Sequence, residues 1–170
     1  MLKSEIESLY RRLAPTLTNY LVASGTPYAA ACDIVQETFL KLWGMRDALE
    51  GDEGRVSGLA YTIARNLRTD RFRHDKFMSY RERIEEDELV SEGDSALEND
   101  DDYLKKRVEN ALESLPPLLR EAFVLFQVSE LSVREISLQL GIGESLVKVR
   151  IFRARQKLKA ALSDLLPMGV

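Results

Sequence analysis

Apolar residues recur at intervals of three and four along almost the whole chain, and stretches alternating apolar with polar at every second position are missing. The first spacing lines side chains along one face of a helix and the second would line one face of a strand, so the pattern predicts an all-α fold. A first helix is predicted over roughly Ser4 to Val22. Gly25-Thr26-Pro27 then supplies a stop, a cap and a proline at the first helical position of a second helix, which runs to about Trp43 with Val35, Phe39 and Leu42 facing inward. Glycine and acid from Gly44 to Gly54 predict a loop. Ser57 is placed as the cap of a third helix carrying Leu59, Ile63 and Leu67 inward.

The pattern fades between Met78 and about Asp102, where large apolar residues are too few to offset the entropy of ordering the segment. It resumes with a fourth helix from Tyr103 to Ser114 and a fifth opened by Pro116-Pro117, with Leu118, Ala122, Leu125 and Phe126 at core spacing. Ser132 and Glu135 form a capping box at the start of a short helix. Gly141-Ile142-Gly143 turns the chain, and a longer helix follows from Glu144 to about Leu165 with Val147, Ile151, Ala154 and Leu158 as its inner stripe. That spacing predicts a helix-turn-helix. The organisation expected is two small helical domains, 1–77 and 103–170, joined by a flexible acidic linker over 78–102.

Charge sharpens this division. The 170 residues carry a net charge of −4, but the acid is concentrated in the linker, from Glu82, Glu85 and Glu86 through to Asp100, Asp101 and Asp102, against only Arg81 and Arg83. Basic clusters flank it: Arg65, Arg68, Arg71, Arg73 and Lys76 before, and Lys148, Arg150, Arg153, Arg155, Lys157 and Lys159 after. The last helix therefore exposes basic faces and suits the major groove, its first turns reaching base edges and its later cations meeting phosphates.

Other chemistry is scarce. Cys32 is the only cysteine and His74 the only histidine, which removes a disulfide framework and a Cys/His metal cage. There is no phosphate-binding glycine loop and no nucleophile paired with His74, and Asp100-Asp101-Asp102 reads as solvated linker. An enzyme is therefore not expected. With no run of eighteen apolar residues and no basic-then-apolar leader at Met1 to Glu5, a cytoplasmic protein without membrane insertion is expected.

Two blocks resemble the extracytoplasmic-function sigma factors, at the separation that family shows. The run from Asp33 to Trp43 (DIVQETFLKLW) is similar to the region 2 helix that docks on the clamp of core RNA polymerase, which assigns Asp33, Gln36, Glu37, Leu40 and Lys41 to the docking face. Ala60 to Asp70 (AYTIARNLRTD) resembles the segment that reads and melts the −10 promoter element. By that likeness Asn66 meets a base turned out of the stack, Arg65, Arg68, Arg71 and Arg73 hold the backbone, and Tyr61 is either a stacking platform or a core residue. The stretch from Leu115 through Arg155 is similar to region 4, the reader of the −35 element. There the likeness points Glu144, Ser145, Lys148, Val149, Phe152 and Arg153 at DNA. Val149 stands where the family often has a small polar residue, and an apolar side chain there can meet a thymine methyl but donate no hydrogen bond.

The resemblance implies a factor that binds core polymerase, promoter DNA and an anti-sigma factor, with neither metal nor nucleotide cofactor. Without polymerase the two domains could close on each other or around an inhibitor. Two other readings stay open on sequence: a sigma-like decoy that occupies an anti-sigma factor without touching DNA, and a dimeric helix-turn-helix regulator.

Overall fold

The structure, a computed structural model, describes residues 1–49, 52–82 and 100–165, and those residues form helices and connecting turns. Among the described residues seven α-helices follow one another: α1 (Lys3–Ala23), α2 (Tyr28–Gly44), α3 (Glu53–Glu82), α4 (Asp100–Ser114), α5 (Pro117–Gln127), α6 (Val133–Leu140) and α7 (Glu144–Ala161). Short 3-10 turns occupy Arg46–Ala48 and Ser163–Leu165. The all-α expectation holds. The linker expectation falls largely on 83–99, outside the described residues, although α3 continues to Glu82 and α4 begins at Asp100, so residues 78–82 and 100–102 of the expected linker are helical. Asp100, Asp101 and Asp102 form the first turn of α4, where negative charge is stabilised by the helix dipole.

The first three helices pack around Leu9, Leu13, Leu17 and Leu21 of α1, Ile34, Val35, Phe39 and Leu42 of α2, and Val56, Ala60, Ala64 and Leu67 of α3, all buried. Leu59 and Ile63 lie at the margin of this core, and Tyr61, left open above, is buried. The third helix also starts earlier than Ser57. Asp52 Oδ1 accepts the Arg55 amide at 3.0 Å and Glu53 sits in the first turn, which outweighs the roughly 1 kcal/mol that a helical Gly54 costs. Pro27 caps α2 from just outside it rather than opening it.

The second bundle centres on α5, α6 and α7, with Ala122, Val124, Leu125, Ile136, Val147 and Ile151 buried together. Leu158 is only half-buried. Leu118, expected inside, is 61% exposed and Leu119 is buried in its place. A smaller cluster of Leu115, Leu119 and Ala154, joined by Leu112, carries α4. The two bundles share one continuous core, because α5 meets α1 and α6 meets α3.

Candidate nucleic-acid interface

The geometry of α7 is set from its N-terminal side. Ser132 Oγ accepts the Glu135 amide at 3.1 Å, so the amide half of the predicted capping box starts α6. Gly141 takes φ 66°, the left-handed conformation that ends α6, and the Ile142 amide closes on the Ser137 carbonyl at 3.2 Å. Gly143 then enters α7 in extended conformation. Because Val147, Ile151 and Ala154 are anchored in the core, the opposite faces must point outward. Glu144, Ser145, Lys148, Val149, Phe152 and Arg153 are all exposed, and Phe152 is 61% accessible despite its apolar ring. The structure thus brings the six sequence-predicted residues onto one open surface. Arg155 instead folds back, its guanidinium 5.4 Å from the centre of the Phe126 ring.

The residues proposed to hold a second stretch of nucleic acid lie on α3 and divide into two groups. Asn66 and Arg73 are exposed. Arg71 lies 3.7 Å from both Asp33 Oδ2 and Glu37 Oε2 of α2, so it bridges to two residues of the expected docking face. Arg65 and Arg68, by contrast, turn toward the second bundle. Arg65 Nε is 3.0 Å from Glu121 Oε1, close in charge but off the line of a hydrogen bond. Arg68 Nη2 donates to Glu121 Oε2 at 3.2 Å and Nη1 to the Tyr20 hydroxyl at 3.2 Å. Tyr20 in turn donates to Glu121 Oε1. Burial works against the Arg68 charge, yet Tyr20 and Glu121 together hold its pKa above the ordinary arginine value. Tyr61 stands edge-on to Tyr20, its hydroxyl beside Ser129 of the α5–α6 loop, and burial raises its pKa.

On α2, Asp33, Gln36, Leu40 and Lys41 are exposed and Glu37 half-buried. Leu40 is 69% accessible and borders a groove of about 540 Å³ completed by Ile6, Tyr10, Phe39 and Trp43. Sequence reasoning missed the α1 side of this groove. Its only local signal is the four-residue spacing of Ile6 and Tyr10, which also suits a core stripe. It likewise missed Tyr20, which meets Arg68 from α1 within the first bundle, and Glu121 and Gln139, which meet the α3 arginines only through packing between bundles.

Comparison with known proteins covers both bundles. The model of "Sigma-70 region 2" matches residues 9–77, and that of "Sigma-70, region 4" matches 105–158. The RNA polymerase sigma factor CarQ of Myxococcus xanthus is 31% identical over 160 residues, spanning 94% of this chain and 90% of that protein. The ECF RNA polymerase sigma factor SigM of Bacillus subtilis is 28% identical over 158 residues, spanning 91% and 93%. Among solved structures, the sigma factor RpoE in complex with the anti-sigma factor NepR from Bartonella quintana superposes with a TM-score of 0.71 at 22% identity, covering 95% of this chain and 98% of that one. CnrH in complex with the cytosolic domain of CnrY gives 0.66 at 22% identity, covering 96% and 90%. These two likenesses concern the fold.

Proposed function

The chain belongs to the extracytoplasmic-function group of the sigma-70 family, and from that membership we propose how its surfaces divide the work of starting transcription. As a sigma factor it directs promoter-specific initiation by core RNA polymerase. Residues 1–77 act as the polymerase-docking and −10 unit and 103–170 as the −35 unit, with 78–102 joining them, a division supported by the gap between the two matched regions. Asp33, Gln36, Glu37, Leu40 and Lys41 dock on polymerase. Leu40 supplies an apolar anchor ringed by polar groups. Asn66 captures an extruded base while Arg65, Arg68, Arg71 and Arg73 hold the opened strand. Glu144, Ser145, Lys148, Val149, Phe152 and Arg153 lie along the −35 major groove, the cations positioning the helix on phosphates and the first turns reading bases.

The observation that carries this reading is α7 itself: a helix clamped by a buried inner stripe after a glycine turn, with all six assigned residues in the open. The chain makes no bond of its own in this scheme, and the chemistry belongs to the polymerase. The factor works in the cytoplasm; among the described residues no helix is long and apolar enough to cross a membrane. Restraint by an anti-sigma factor is supported by the fold it shares with a sigma factor solved in such a complex. Run-off transcription with core enzyme on promoters found by mapping polymerase recruitment tests the reading. Leu40→Asp should abolish transcripts while leaving duplex binding intact. Lys148→Ala should lower the salt slope of duplex binding by about 0.9 log units per log salt. Absence of transcripts from every recruited promoter would refute it.

A further inference from the structure

The outward face of α7 carries an apolar ridge that packing within the chain does not explain. Leu146 is 41% exposed, Val149 40% and Phe152 61%. Residues at every third position follow one oblique line around a helix, so the three form a continuous strip about 9 Å long along the axis. At about 100° per residue, Val149 lies about 200° round the helix from Val147 and about 160° from Ile151, both of which are buried. Its isopropyl group therefore stands at the point of α7 farthest from the core. The outer face of a half-buried helix is ordinarily polar. Beside this ridge stand the exposed cations Lys148 and Arg153 and the exposed Ser145.

An apolar apex between two cations matches one feature of duplex DNA. The major groove is walled by phosphates, and among the four bases only thymine presents an apolar group on its floor, the C5-methyl. Against adenine, guanine or cytosine the Val149 methyls cover a donor or acceptor that they cannot pair, and a polar group left dry and unpaired is costly. The ridge spans roughly three base-pair steps, enough for Val149 and the Phe152 ring to meet the methyls of neighbouring pairs. Its convex shape and flanking positive charge favour a phosphate-walled groove over the apolar face of a protein partner.

Resting on the functional reading above, we infer that α7 selects its −35 element by thymine methyl groups, with Val149 and Phe152 as the specificity-determining residues. Lys148 and Arg153 supply phosphate affinity on either side, and Leu146 keeps water from one flank of Val149. Selection works in both directions: a methyl in register adds apolar contact, and any other base there loses hydrogen bonds to water without replacement.

The test uses the full-length protein and two −35 duplexes taken from a promoter active in run-off transcription. One is unchanged, and in the other every thymine of the element is replaced by deoxyuridine, which keeps each hydrogen-bonding group and drops only the methyls. By fluorescence anisotropy the wild type should bind the deoxyuridine duplex roughly fourfold more weakly for each contacted methyl, or about fifteenfold for two. Val149→Thr, which exchanges a methyl for a hydroxyl at equal size, should reduce that ratio, as should Phe152→Ala, and the double variant should bring it to about one. Both positions are exposed, so neither change empties the core, and comparing ratios between proteins cancels any effect of deoxyuridine on duplex shape. Equal binding of the two duplexes by a wild type that still supports run-off overturns the methyl reading and leaves the functional reading standing. A ratio undiminished in all three variants overturns the assignment to Val149 and Phe152. Absence of both run-off and duplex binding for the wild type sinks the functional reading and this inference with it.

Discussion

Tyr20 shows how much one hydroxyl can report. It donates to Glu121, accepts from Arg68, and has Arg65 beyond, so every charged group facing it belongs to the fastening between bundles. Burial first, and the Glu121 carboxylate second, raise its pKa well above the ordinary 10.0. Tyr20 is therefore held protonated to higher pH than a solvated tyrosine, whose ordinary value is 10.0. Its contribution to stability is complete below that pH and is lost as pH rises toward the elevated value. In an alkaline titration followed by tyrosinate absorbance, Tyr20→Phe should lack part of the late-titrating component of the wild type. Glu121→Gln should move that part earlier. None of this was legible in the sequence: Glu121 sits 53 positions from Arg68, and no spacing rule links an acid on one helix to arginines on another in a different bundle. Leu118 misled for a related reason. Leu118, Leu119, Ala122, Leu125 and Phe126 fit two helical stripes almost equally, and only packing against α7 selects Leu119.

At the scale of elements, α6 and the start of α7 were readable almost to the residue because their determinants are local, a serine cap, a left-handed glycine and an inner stripe, whereas α7 ends at Ala161, short of the expected Leu165. The start of α3 was misread because Ser57 is a common cap, whereas Asp52 does that work behind a glycine that discourages helix. Adjacent positions on α7 give a sharp expectation. Ile151→Ala empties a site in the core and should cost about 2–4 kcal/mol in urea unfolding. Phe152→Ala should change stability little and weaken duplex binding, as seen by fluorescence anisotropy. Ser132→Ala should cost about 1 kcal/mol through loss of the α6 cap. The end of α7 is fastened differently. Arg107 forks onto Asp164 at 2.7 and 2.8 Å, and these hydrogen bonds hold the Asp164 pKa below the ordinary 3.8. That tie should persist above 3.8 and fail as pH falls through the depressed value, read as faster hydrogen exchange around Ser163–Leu165 in acid.

The whole molecule combines two units that the sequence separates with a core that the structure joins. The acidic stretch and the faded periodicity are what suggest a division in the sequence, and the two family models match residues 9–77 and 105–158 on either side of it. The joining was not legible, because Tyr20, Tyr61 and Gln139 each read as ordinary positions in their own helices. A shared core has a thermodynamic consequence. If that core couples the bundles, unfolding one exposes the contact surface of the other, so both should melt together. Trp43, the only tryptophan, lies in the first bundle, whereas far-ultraviolet circular dichroism reports helices in both. In urea the two signals should coincide for the wild type. Glu121→Ala leaves two half-buried arginines without their carboxylate, a penalty the chain escapes by parting its bundles and hydrating Arg65 and Arg68. The tryptophan and dichroism midpoints should then separate, each bundle melting at its own denaturant concentration. Coincident midpoints in that variant would mean that the continuous apolar core, rather than the arginine fastening, holds the two halves together.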